Sequence, residues 1–123
     1  MKKFLLPYAL VLMVACSKGN GKDTDPPVIV ITAPANNQAF TSGQSIMVSG
    51  NASDNKFTNQ IHIVISNLAT GVEYLHVHIH PNTSVFTFNQ SYTPQAGITY
   101  KIDVIVDDAS AKSSAKSIQI SCN

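Results

Sequence analysis

The chain contains no tryptophan and no arginine, a single glutamate (Glu73) and two cysteines among 123 residues. The missing arginine and the sparse, balanced charge exclude nucleic acid as a partner, because gripping phosphates takes a dense basic footprint. One glutamate leaves no support for a paired-carboxylate hydrolase site. None of the many serines sits in a Gly-x-Ser-x-Gly context or beside a plausible His-Asp pair. The expectation is therefore a protein that is not an enzyme. No stretch carries a helical period either, and leucine is scarce beyond residue 12, where only Leu68 and Leu75 remain.

The early leucines belong to the segment "MKKFLLPYALVLMVAC". Lys2 and Lys3 form a positive n-region, and Phe4 to Ala15 form an apolar run too short to span a bilayer stably. The ending Met13-Val14-Ala15-Cys16 resembles the lipobox of bacterial lipoproteins. That resemblance implies a signal peptide over residues 1–15, removed by cleavage, and an acylated Cys16 at the mature N-terminus. Several acyl chains make a lasting membrane anchor where one would be marginal. Ser17, in place of the aspartate that marks inner-membrane retention, implies by the same resemblance the outer membrane of the cell envelope. The mature chain then sets six lysines against seven acids. With the Cys16 sulfur alkylated, Cys122 has no partner and no disulfide framework is available. Residues 16–27, polar and closed by Pro26-Pro27, read as a flexible tether.

The remainder, residues 28–123, is rich in Val, Ile, Ser, Thr and Asn, a composition that suits a pleated surface. Alternation and turn signals give seven strands: 28–32, 45–53, 60–66, 73–80, 84–92, 98–108 and 114–121. "APANNQ" and "DNKFTN" read as breaks between the first three. Seven strands in one domain of this length are the pattern of an all-β, immunoglobulin-like β-sandwich. "PPVIVITAPANNQAF", "GQSIMVSGNASDN" and "YKIDVIVDDASAKSS" resemble the bacterial Ig-like domains of cell-surface proteins. A short lipoprotein with histidines on its middle strands also resembles a lipoprotein family of unknown function. The resemblance implies a fold, and it implies no catalytic residues.

All four histidines fall on two neighbouring strands. In "YLHVHIHP", Leu75, Val77 and Ile79 share one face, and His76, His78 and His80 share the other. Ile61, Ile63 and Ile65 must face the core, which places His62 outward as well. A hairpin loop of Ala69-Thr70-Gly71, with Gly71 in the left-handed position, pairs Leu68 with Val72. Counting back pairs Ile61 with Ile79, His62 with His78, Ile63 with Val77 and Ile65 with Leu75, so core face meets core face. The sixth strand turns Tyr100, Ile102, Val104 and Val106 inward, which lets Asp103 or Asp107 border the patch. Imidazole donors with a carboxylate nearby suit Zn or Cu. Three readings stay open here: a transition-metal site, a pH-responsive or ligand-contacting surface, and solvated residues with no further role.

Asp54, Asp107 and Asp108 lie in loops expected at one end of the sandwich, near Asp23 and Asp25. Oxygen ligands so placed can hold calcium, although Asp and Asn are also ordinary turn residues. Phe40 and Phe57 are candidate anchors for a partner, or buried edge residues, and Cys122 reads as a small apolar strand-end residue. Taken together, the sequence predicts a lipid-anchored, non-enzymatic Ig-like binding module with a four-histidine patch. The alternative is a structural or adhesive domain that takes a protein or glycan partner.

Overall fold

The structure, a computed structural model, describes residues 25–123. The expected signal segment, Cys16 and most of the expected tether lie outside the described residues. Seven strands follow: β1 Val28–Ala33, β2 Gln38–Phe40, β3 Ile46–Asn67, β4 Glu73–Ile79, β5 Thr83–Tyr92, β6 Thr99–Asp108 and β7 Ser113–Cys122. No helix occurs among the described residues.

The number of strands matches expectation, but two of their identities do not. The second and third expected strands are one 22-residue strand, β3. "DNKFTN" keeps the backbone extended and breaks the pairing instead. Before it, residues 46–53 of β3 pair with β5, and those from 49 to 53 also pair with β1. After it, residues 60–67 pair with β6, and 61–66 pair with β4. Register shifts between Ser53 and Thr58, and between Thr58 and Gln60, mark the exchange of partners. The second correction is β2, three residues inside the segment read as a turn. It pairs parallel with β7, setting Gln38 against Ile120 and Phe40 against Cys122. A strand this short has no alternation to display, and its pairing is set more than 80 residues away.

Two layers result. One is β1, the first part of β3, and β5. The other is β4, the second part of β3, β6, β7 and β2. Their inner faces make one core from Ile46, Val48, Ala52, Ile61, Ile63, Ile65, Phe88, Tyr100, Ile102, Val104, Val106, Ile118 and Ile120. The buried apolar residues run from Ile29 to Cys122, so residues 25–123 contain the whole described core. Phe40 and the free Cys122 are buried, whereas Phe57 is 54% exposed. At one end, the buried Tyr100 hydroxyl accepts the Gln95 backbone N–H at 2.8 Å, tying the β5–β6 turn to the start of β6 as in a tyrosine corner. Tyr74 and Tyr92 each pack edge-on against Tyr100 with ring centroids 5.5 Å apart. Burial, then the hydrogen bond with Tyr100, pushes the Tyr92 hydroxyl pKa well up.

β1 comes close to β3 at Gly50, which pairs with Ile31 on one side and Phe88 on the other. A Cβ there would overlap the Val30 carbonyl oxygen and lie 2.6 Å from Phe88 Cζ. A backbone oxygen cannot be relieved by a rotamer change, so the strands themselves must part. Gly50→Ala is expected to lower the urea unfolding midpoint by the equivalent of ~1–3 kcal/mol or more. An unchanged midpoint would show that the strands do not approach this closely.

Candidate metal centre

The β3–β4 hairpin holds the register expected from the isoleucine alternation. Ile61 lies opposite Ile79, His62 opposite His78, Ile63 opposite Val77 and Ile65 opposite Leu75. The turn reaches that register by a different path. Asn67, not Leu68, meets Val72: the Asn67 N–H donates to the Val72 carbonyl and the Gly71 N–H to the Asn67 carbonyl, each at 2.8 Å. The Asn67 side-chain oxygen accepts the Ala69 and Thr70 N–H groups at 2.9 and 3.2 Å, and Gly71 takes its positive φ of 76°. The loop is therefore one residue longer than expected. Ser66 then pairs with Glu73 and Ile65 with Leu75, leaving Tyr74 as an extra residue in β4. The two offsets cancel, and the histidines arrive where the simpler hairpin would have put them.

His62, His76 and His78 each bring a ring nitrogen within 4.8 Å of the others, the one such group of metal-ligating side chains among the described residues. The hydrogen-bonded pair is diagonal, not directly across the strands: His62 Nδ1 lies 3.1 Å from His76 Nε2. The directly opposed His62 and His78 meet ring edge to ring face with centroids 4.2 Å apart, and His78 stacks on His76 at 4.5 Å. Side chains lean along a strand, so a diagonal neighbour can present the hydrogen-bonding nitrogen even with its ring centroid farther off, at 5.4 Å. His80 lies beyond the end of β4 and outside the trio, although its charge still acts on His62.

Each ring of the trio also has a partner on its other nitrogen. Glu73 Oε2 lies 3.2 Å from His76 Nδ1, Gln60 Nε2 lies 2.9 Å from His78 Nδ1, and Asp107 Oδ2 lies 3.9 Å from His62 Nε2. Of the two expected bordering acids, Asp107 takes that place. Asp103 sits opposite Val64 and is engaged by Lys101 at 3.4 Å and by the Ser117 hydroxyl. Gln60 and Glu73 were not foreseen. Gln60 shares the outward parity of His62 and was findable from the register. Glu73 shares the inward parity of Leu75, and only the extra residue Tyr74 carries it to the histidine face.

The His62 side chain is 18% exposed, against 37% for His76. Burial is the main reason that its imidazole titrates below the ordinary 6.5, and the His78, His76 and His80 charges add to this against the opposing pull of Asp107. His62 is thus neutral at pH 7, with a lone pair available to a metal.

The described acids of the expected oxygen cluster take separate partners. Asp108, 1% exposed, uses Oδ1 to accept the Ser110 and Lys112 N–H groups, both at 2.8 Å, inside the β6–β7 turn. Asp54 accepts the Lys56 N–H at 3.0 Å, and Asp107 stands beside His62. These three form no metal-ligating group among the described residues, and Asp23 lies outside them. Asp108 acts as a turn residue, as its type ordinarily does, whereas Asp54 stays within β3.

No curated protein matches the sequence. Among solved structures, the fibronectin(III)-like modules of Clostridium thermocellum CbhA superpose with a TM-score of 0.56 at 16% identity, over 80% of this chain and 47% of that one. The chain thus spans about half the length of that structure. Two structures of superoxide reductase (neelaredoxin) from Ignicoccus hospitalis give TM-scores of 0.51 and 0.50. Their identities are 12% and 11%, over 82% and 80% of this chain and 82% and 81% of theirs. At such identities the likeness is one of fold alone. Residues 27–104 match the family model of the bacterial Ig domain. With most of its length so matched and its strands laid out as that fold requires, the chain belongs to the bacterial Ig domain family.

Proposed function

We propose that this protein is a lipid-anchored, non-enzymatic binding module of the cell envelope, whose Ig-like domain binds a transition-metal ion at His62, His76 and His78. The observation that carries the reading is the convergence of three imidazoles from two paired strands, with His62 Nδ1 and His76 Nε2 3.1 Å apart. Tetrahedral zinc, with metal–nitrogen bonds near 2 Å, sets its ligand nitrogens roughly 3.3 Å apart. Two donors already stand near that spacing, and a nitrogen of His78 lies within 4.8 Å of both. Parallel histidines along a single strand would not converge; the cross-strand His62 makes the group. The site lies open on a sheet face with His76 more than a third exposed. Such a face excludes no water and suits binding better than catalysis. The lipobox-like Met13 to Cys16 supports the anchor, and Ser17 supports an outer-membrane address.

A purely adhesive role has its own support in exposed apolar side chains, with Phe57 at one end of the sandwich and Leu68, Val72 and Tyr74 around the β3–β4 hairpin. These are scattered, and single exposed hydrophobics are ordinary on any protein surface. The metal reading is therefore preferred.

Calorimetric titration of residues 25–123 with Zn²⁺, Cu²⁺ or Ni²⁺ is expected to show one site per chain. The double variant His62→Ala/His76→Ala should lose it. Equal, weak heats from both proteins would remove the metal from the function. Zinc affinity should also fall as the pH drops below about 6.5, because protons then compete for imidazole lone pairs. In the metal-free domain the sign is the same. His62 has a lower pKa folded than unfolded, so stability is fully present above about 6.5 and declines as pH falls through the folded pKa. A His62→Gln variant should show a flatter urea midpoint between pH 7.5 and 5; parallel curves would contradict the assignment. For the anchor, Cys16→Ala should abolish both incorporation of labelled fatty acid and recovery in the membrane fraction. Unchanged recovery would show that Cys16 is not the attachment point.

A further inference from the structure

We infer that the ion is a divalent cation held by Nδ1 of His62 and by Nε2 of His76 and His78, with Asp107, Glu73 and Gln60 as positioning residues that each set one ring from its far nitrogen. This rests on the metal reading above and specifies which atoms and which supporting groups make the site.

An imidazole that binds a metal through one nitrogen usually carries a proton on the other. The group that accepts that proton fixes both the tautomer and the ring's orientation. His76 meets this condition as it stands, and the other two rings each have a polar group beside the far nitrogen that can be brought to meet it. His76 Nδ1 faces the Glu73 carboxylate at 3.2 Å, which leaves Nε2 toward the centre, 3.1 Å from His62 Nδ1. His62 Nε2 points to Asp107 at 3.9 Å, which leaves Nδ1 inward. His78 Nδ1 meets the Gln60 amide at 2.9 Å, which leaves Nε2. A half-turn of that amide presents its oxygen to an Nδ1 proton, as a metal-bound ring requires. The three supports come from separate places: the end of β6, the start of β4 and the middle of β3. Histidines that merely decorate a solvated strand have no reason to acquire one outward partner each.

Charge then selects the ion. The three imidazoles bind as neutral ligands, and Glu73 and Asp107 place two carboxylates immediately behind them. Against this pair a divalent ion is balanced, whereas a monovalent ion leaves a net negative cluster. Nitrogen donors disfavour calcium and magnesium, so the class narrows to Zn²⁺, Cu²⁺ and Ni²⁺. No fourth metal-ligating side chain joins the group among the described residues, so solvent completes the coordination.

The test uses residues 25–123 labelled with ¹⁵N and loaded with zinc. Long-range ¹H–¹⁵N spectra distinguish a metal-bound ring nitrogen from a protonated one. The expected pattern is coordination through Nδ1 in His62 and Nε2 in His76 and His78. Asp107→Asn, Glu73→Gln and Gln60→Leu should each weaken zinc by about tenfold or more while one ion per chain is retained. Glu73→Gln keeps a hydrogen-bond acceptor and should preserve Nε2 coordination at His76. Glu73→Leu should let both nitrogens of that ring compete. The metal-free urea midpoints of these surface variants should stay close to the parent's, separating positioning from folding. Zinc bound through the opposite nitrogens, or bound as tightly by all the variants as by the parent, would overturn the inference and leave the metal site standing. No zinc uptake by the parent would remove both.

Discussion

The constraint on which the rest depends is the two-residue alternation in each half of β3, with even-numbered residues inward before the exchange of partners and odd-numbered ones after it. Ile46, Val48 and Ala52 face the core from one layer, and Ile61, Ile63 and Ile65 face it from the other. Burying a side chain of this size is worth roughly 1.5–3 kcal/mol. Three consecutive inward isoleucines therefore outweigh any preference of the residues between them. His62 points outward because its neighbours cannot. A slip of one residue would bury His62 and expose the isoleucines, so the core enforces the register of the outer face as strictly as its own.

The same reasoning passes to β4. Leu75, Val77 and Ile79 complete the inner surface of the hairpin, and His76 and His78 are placed beside His62 as a consequence. The imidazole group is thus assembled by hydrophobic packing on the opposite face of its strands, and its spacing is that of an antiparallel ladder. Such a site is preorganised without a dedicated scaffold. Its weak point is the electrostatics: protonated rings this close repel one another, and burial makes a charge on His62 costlier still. Asp107 and Glu73 offset part of that repulsion from behind. An ion at the centre would replace the repulsion with shared coordination.

What was legible in the sequence follows from what kind of force set it. Alternation is a local record of burial, so the strand faces, the outward histidines and the His62–His78 register could all be read off. Features set by distant pairing left no local mark. β2 exists because β7 offers it an edge, and the break expected between two strands is an exchange of partners along one continuous backbone. The turn shows how a correct register can come from a wrong loop. Asn67 lengthens the loop by capping it, and the extra residue Tyr74 restores the count. That same extra residue moves Glu73 to the face opposite the one its parity assigns. Parity therefore found Asp107 and could have found Gln60, but not Glu73. It also could not show that His62 would meet His76 nitrogen to nitrogen while His78 lies nearer ring to ring, because that depends on side-chain lean.

An Ig-like sandwich usually presents variable loops at its ends, where insertions cost the core least. Asp108, at the β6–β7 end, follows the ordinary use of such loops and closes a turn by accepting two backbone N–H groups. The histidines are placed differently, on the rigid strands of the layer that also carries β6 and β7. A site built on strands trades reach for precision, since its donors move only as far as their rotamers allow. It trades enclosure for access as well, because a sheet face has no walls. Fold membership alone decides neither the metal nor the role. That decision rests on whether the three ring nitrogens, two of them 3.1 Å apart and all within 4.8 Å, are matched by the groups behind them: Glu73 and Gln60 at hydrogen-bond distance, and Asp107 at 3.9 Å.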